Sequence, residues 1–413
     1  MRLNVIAIGL TALLMALAGC GGNNAPVVIF PKLPLPTVSN FGFAYAANDA
    51  SGTLDSYTIG LDYSLKPLAT LALASPLPTS YQLMALSDVQ GGEYVALLDS
   101  AANTLSVYEA DANTGKLTAI EGSPIATGKD PVELAVGNVE IGYDITMYVA
   151  NAGDQTLSTY VLSGGSQPAV QAQGQPVPAP VPATTLAVAN YDLYIAGPDP
   201  NSTSGGQALW HFKLDPQTLS PQAPAGNEFP LSGASHPVSS LEFSIYGTYL
   251  YAFCPEDGMI LGFNYSFQGG GLTLLPGSPY RLGSQPEGMM QTLTSNLSAM
   301  NPTYILDRAG FLVNAGTDSQ GNLAAIGQYA AGVAPSDLAF NTGSGIAYNG
   351  QGLLEKVDPG SLLYVTDSAS GDILGFSVNP ASGALAALPG SPYPAGQAPA
   401  AIVTLPNAPP TMN

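Results

Sequence analysis

One phrase returns seven times along the chain, and it narrows the possible architectures more than any other feature. Each copy opens with an apolar-aromatic strand led by tyrosine and ending in Asn or Asp. It turns through glycine to a second strand, loosens into a third, and closes at a Pro-rich turn before a Pro-led return strand. The lead tyrosines are Tyr45, Tyr94, Tyr148, Tyr194, Tyr251, Tyr304 and Tyr364, about 53 residues apart on average. The return strands are expected at Tyr81 to Leu86, Pro131 to Val136, Pro182 to Val188, Pro237 to Phe243, Pro286 to Met290, Pro335 to Phe340 and Pro399 to Leu405. Proline suits the first residue of a strand, where its missing N–H costs no ladder bond. In four copies the lead tyrosine and a closing aromatic are twelve apart, an even separation that would set both on one sheet face if the turn preserved the register. The sixth copy is the most degraded, and its second strand is placed at Leu323 to Tyr329.

Four short strands per unit with no long helical period predict an all-β fold, a seven-bladed β-propeller with four-stranded antiparallel blades. The chain enters this pattern on the second strand of a blade and leaves it on a first strand. The N- and C-terminal strands should therefore pair within one shared blade and remove the open edges.

The N-terminus reads separately. Arg2, an apolar run from Leu3 to Ala18 and the tetrad Leu17-Ala18-Gly19-Cys20 resemble a bacterial lipoprotein signal, with Cys20 as the lipidation site. About sixteen apolar residues are few for a membrane span. The expected organisation is a signal peptide over 1–19, a lipidated cysteine and tether over 20–40, the propeller over 41–406 and a tail over 407–413. Gly21 after the cysteine favours the outer membrane of the cell envelope, facing the periplasm or the cell surface. The other cysteine, Cys254, lies in an apolar strand and is read as packing.

Acidic side chains outnumber basic ones, 29 to 9, for a net charge of −20. That field repels nucleic acid and anionic headgroups, so no nucleic-acid partner is expected. Two histidines and one free cysteine offer no metal constellation, and no phosphate-cradling or dinucleotide motif is present, so no cofactor is expected. Asp49, Asp99, Asp154, Asp257 and Asp367 follow lead strands and are read as caps of their own turns, with calcium at one of them the alternative.

The repeat resembles the lactonase-like propellers, the family of propeller-type 6-phosphogluconolactonases and carboxymuconate-cyclising enzymes. Residues 40–405 carry the resemblance, through Tyr148-Val149-Ala150-Asn151, Asn113-Thr114-Gly115-Lys116-Leu117-Thr118, Ser382-Gly383-Ala384-Leu385 and the Pro-Gly-Ser-Pro-Tyr phrases at 276–280 and 389–393. These motifs specify a fold more than a reaction. The polar residues near the innermost strands are Lys129, Asp130 and Glu133, His236 and Glu242, Arg281, Gln285 and Glu287, and Asp337. The resemblance implies a mixture of His, Arg and Glu at the channel, which selects His236, Glu287, Arg281 and Glu133. In that scheme His236 or Glu287 is the base and Arg281 holds a carboxylate or oxyanion. The plainer reading makes His236 a surface residue, Arg281 and Glu287 an ion pair, and His211, between Trp210 and Phe212, structural. The preferred function is a lipid-anchored binding or scaffold module, its partners the membrane through Cys20 and an envelope protein or glycan. The alternative is a lactone-ring hydrolase, taking a small lactone or carboxylate over the central channel.

Overall fold

The computed structural model describes residues 40–73, 79–137, 144–224, 228–244, 246–291, 301–341, 345–348, 354–357, 361–379 and 381–406. The signal peptide, Cys20, most of the tether and the 407–413 tail lie outside them. Among the described residues the strands form seven four-stranded antiparallel blades, with a short further strand in three of them and one separate hairpin. Blade 1 holds Asn40–Asn48, Thr53–Gly60 and Leu65–Ala72, with Pro399–Pro406 as its innermost strand. Tyr45 pairs with Val403 and Phe43 with Leu405, so the last strand of the chain closes the ring against the first, as the strand order of the repeat predicts.

The innermost strands of blades 2 to 7 are Tyr81–Ser87, Pro131–Val136, Thr185–Ala189, Ser240–Phe243, Pro286–Gln291 and Pro335–Asn341. In blades 4 and 5 they begin three residues after the prolines expected to open them. The sixth copy also differs: Phe311–Thr317 follows the lead strand Asn301–Asp307, and Leu323–Ala330 is the outer strand. The turn between Asp307 and Phe311 is only three residues long, and the strand after it carries Ala315 where other copies have a ring.

The lead strands are apolar throughout because each is covered on both faces by neighbouring blades. Glu93–Asp99 and Leu362–Asp367 are buried along almost their whole length, whereas the outer strand Leu65–Ala72 is exposed beyond its first residue. The core is therefore seven wedges, one at each contact between blades. The lead tyrosine and the closing aromatic lie on opposite faces, contrary to the same-face expectation. Tyr148 pairs with Thr159 and Tyr160 with Met147. The four-residue turn sets partners eleven apart, so a ring twelve away points to the other side. Tyr148 consequently packs toward blade 4 and Tyr160 toward blade 2.

The lead tyrosines also latch the blades. Tyr45, Tyr148, Tyr251 and Tyr304 donate to the carbonyls of Gly115, Leu219, Gly321 and Gly383 in an outer turn of the next blade, at 2.9, 2.7, 2.7 and 2.6 Å. Tyr194 reaches Gly270 and Tyr364 reaches Tyr63. All six acceptors have positive φ, the turn geometry that presents the carbonyl to the tyrosine. Tyr94 uses an intermediary: it donates to Asp88, which also accepts the Gly165 N–H of blade 3.

His211 belongs to a buried knot between blades 4 and 5. Its Nε2 lies 2.5 Å from Asp192 Oδ1, which also meets Lys213 Nζ at 2.5 Å, while Tyr265 donates to Oδ2. Desolvation works to raise the Asp192 carboxyl, but these bonds outweigh it and hold it below its ordinary value. Cys254 is fully buried in the same wedge and burial pushes its thiol up to about 12, which makes it a packing residue.

Candidate functional site

The innermost strands run from the face where the loops feed them, the near face, to the far face. Near-face loops are held by side chains at or just past the ends of the lead strands. Asn151 accepts from Gly128 N at 3.0 Å, Asp307 from Ser284 N and Gln285 N, and Asp367 from Val333 N and Ala334 N. Asp49 accepts from Tyr81 N and Asp154 from Lys129 N. These carboxylates and amides therefore secure the loops leading into the channel strands, a wider task than capping their own turns.

Inside the ring the strands enclose a cavity of about 520 Å³, with Glu133, Glu242, Glu287 and Asp337 on its wall. They come from blades 3, 5, 6 and 7: Glu133, Glu287 and Asp337 lie in the first halves of their inner strands, and Glu242 lies next to the end of Ser240–Phe243. The wall is stitched between blades by side chains. Gln82 donates to Val132 O at 2.7 Å and accepts from Leu134 N at 3.0 Å. Ser336 donates to Pro399 O at 2.6 Å, Ser239 to Glu287 O at 2.9 Å, and Asp337 Oδ2 accepts from Ile402 N at 2.8 Å.

Three of these carboxyls are held near neutrality. Each is partly buried at the cavity wall, and desolvation is the leading cause. Glu133 is pushed up to about 8, with Glu242 and Asp337 adding like charge against a hydrogen bond from Thr185 at 3.0 Å. Glu242 rises to about 7 against a bond from Ser240, and Asp337 to about 7 against the N–H groups of Ile402 and Leu338. At neutral pH the wall thus carries protonated and ionised carboxyls together. They are spread around it: among the described residues no three His, Cys, Asp or Glu side chains converge on one point that could hold a metal ion.

Glu287 has a different partner from the one expected. Arg308, in the turn after the blade 6 lead strand, grips both its oxygens, with Nε 2.5 Å from Oε2, and approaches Glu256 at 3.9 Å. Arg281 instead donates to the carbonyls of Asp257 and Gly258, both at 3.2 Å.

His236 lies on the rim with Arg281, away from the cavity wall. Its Nδ1 is 2.8 Å from Asp257 Oδ1, and the same oxygen accepts from Ser235 Oγ at 2.6 Å. Desolvation works to raise Asp257, yet four hydrogen bonds from Ser235 and His236 hold it at about 2. Serine and histidine converge on one carboxylate oxygen here, so the hydroxyl does not face the outer ring nitrogen as a hydrolytic triad requires.

The four candidates thus divide into a channel pair, Glu133 and Glu287, and a rim pair, His236 and Arg281. Glu242 and Asp337 complete the channel set; Asp337 shares a repeat phase with Glu133, each pairing two residues past its lead tyrosine, whereas Glu242 lies two residues further along its strand, opposite Tyr251. Arg308 follows a lead strand, outside the loops where the sequence directs attention.

Neither a family model nor a curated protein sequence matches the chain. Solved structures do match in fold. A protein of unknown function from Desulfotomaculum acetoxidans superposes with a TM-score of 0.60 at 13% identity, covering 89% of this chain and 99% of that one. A putative 6-phosphogluconolactonase from Bacteroides uniformis gives 0.58 at 15%, covering 89% and 100%. The periplasmic gluconolactonase of Pseudomonas aeruginosa gives 0.58 at 17%, covering 88% and 99%. At these identities the likeness is one of architecture, and this chain shares the seven-bladed propeller of lactonase-type proteins.

Proposed function

We propose that the channel cavity hydrolyses small, uncharged lactones by carboxyl acid–base chemistry. The observation that carries this reading is the placement of Glu133, Glu242 and Asp337 on one cavity wall at values of about 7 to 8. An ionised member takes a proton from water as its oxygen attacks the lactone carbonyl carbon. A protonated member gives its proton to the ring oxygen as the C–O bond breaks. The product is a hydroxy acid whose carboxylate the acidic wall repels, which favours release. The same repulsion disfavours phosphorylated substrates, because the Arg308 charge is already matched by Glu287. The lactonases among the structural relatives support the reaction class.

The reading keeps the lipid anchor at Cys20 and the outer-membrane, envelope placement. The first propeller strand starts at the far face, where Gly42 pairs with Pro406. Among the described residues no helix is long and apolar enough to cross a membrane.

Acid release from δ-gluconolactone and δ-valerolactone tests the proposal. Glu133→Gln and Asp337→Asn should each lower kcat/KM by about 100-fold or more. Loss in His236→Ala and Arg281→Ala with both carboxyl variants active would move the chemistry to the rim. No turnover of any lactone would return the chain to the binding or scaffold reading.

A further inference from the structure

The channel does not end at its carboxyls. A second cavity of about 320 Å³ shares Met84, Leu134, Ser240, Glu133 and Glu242 with the first and continues toward the far face past Val136, Val188 and Phe243. These last three stand at or next to the ends of the inner strands of blades 3, 4 and 5. Each is only partly buried, although similar side chains on the lead strands are almost completely covered. The blade 4 inner strand, Thr185–Ala189, brings no charged group to this sector.

The space is therefore amphipathic along its axis, with Glu133 and Asp337 at one end, half-covered aliphatic and aromatic surface at the other, and Glu242 next to Phe243 where the two meet. Water in the apolar reach has few polar partners, so an apolar group that displaces it gains free energy. A polyhydroxylated chain would leave its own hydroxyls unpaired there. We propose that the preferred substrate is a lactone bearing an aliphatic substituent, its ring among Glu133, Glu242 and Asp337 and its chain along Val136, Val188 and Phe243. This assignment rests on the hydrolase reading and names its substrate class.

The test is a chain-length series with the full-length protein: δ-valerolactone, δ-octalactone and δ-decalactone, with δ-gluconolactone as the polar comparison. kcat/KM should rise by up to about fourfold for each methylene that the reach buries, and δ-gluconolactone should be the poorest substrate. Val188→Thr keeps the branched shape but adds a hydroxyl, and should lower the ratio of δ-decalactone to δ-valerolactone turnover by about tenfold. Val136→Thr makes the same test from the neighbouring blade should the first variant not fold. Equal kcat/KM across the series, or δ-gluconolactone ahead, overturns the aliphatic assignment and leaves the hydrolase reading standing. Turnover of no lactone overturns the hydrolase reading and takes this assignment with it.

Discussion

The channel carboxyls show how a side chain's surroundings decide its chemistry. Glu133 is pushed to about 8 by desolvation at the cavity wall and by like charge nearby. The folded values of Glu133, Glu242 and Asp337 lie above 4.5, 4.5 and 3.8, those of the unfolded groups. Folding therefore favours their protonated forms. The stability they contribute is complete below about pH 4 and is lost as pH rises through about 7 to 8. Asp257, held at about 2, works the other way, its contribution present above about pH 4 and lost as pH falls through 2. Thermal denaturation should accordingly show higher stability at pH 5 than at pH 8. Glu133→Gln, neutral at every pH, should flatten that slope by about 1–2 kcal/mol, after discounting for the cavity water that solvates the group. An unchanged slope would mean that cavity water screens the carboxyl fully.

At the scale of the element, the latch between a lead tyrosine and the next blade's outer turn makes a testable unit. Tyr148→Phe removes only a hydroxyl but leaves the Leu219 carbonyl without its donor, and should cost about 1–2 kcal/mol in denaturant unfolding. Gly115→Ala should cost about 2–3 kcal/mol, because its φ is +66° and a Cβ there would fall 2.3 Å from the Phe43 ring. The tyrosines could be read from the sequence because each lead strand is a local apolar run. Their acceptors could not, since the outer turns lie about 70 to 80 residues further along the chain in five of the latches. The channel side chains divide in the same way. Glu133 and Asp337 sit at a fixed phase of a strand whose direction the repeat dictates, so their convergence follows from the ring. His236 and Arg281 sit on loops, where phase says little, and the structure carries them to the rim. The Arg308–Glu287 pair depends on how a blade 6 turn hangs beside its own inner strand, which no sequence spacing encodes.

For the whole molecule, closure is the condition on which the site depends. Four side chains, Gln82, Ser239, Ser336 and Asp337, stitch neighbouring blades along the channel through one or two hydrogen bonds each, and two of them, Ser336 to Pro399 and Asp337 to Ile402, do so between blade 7 and the C-terminal strand. The same strand pairs with Asn40–Asn48 across more than 350 residues, so the entropy lost in bringing the two together is offset only when the full strand pairs. Deleting residues 399–413 would expose the edge of Asn40–Asn48, a buried apolar strand with unpaired backbone groups, and would remove Asp337's N–H donor from Ile402. Size-exclusion chromatography should then show self-association, and urea unfolding should lose its single steep transition. Deleting only residues 407–413, beyond the last paired strand, should leave both as they were. If the shorter chain instead stays monomeric and unfolds in one step, six blades and a three-stranded seventh are enough to hold the ring. Lactone turnover in that protein would show whether the cavity needs the C-terminal strand or only the blades that carry its carboxyls.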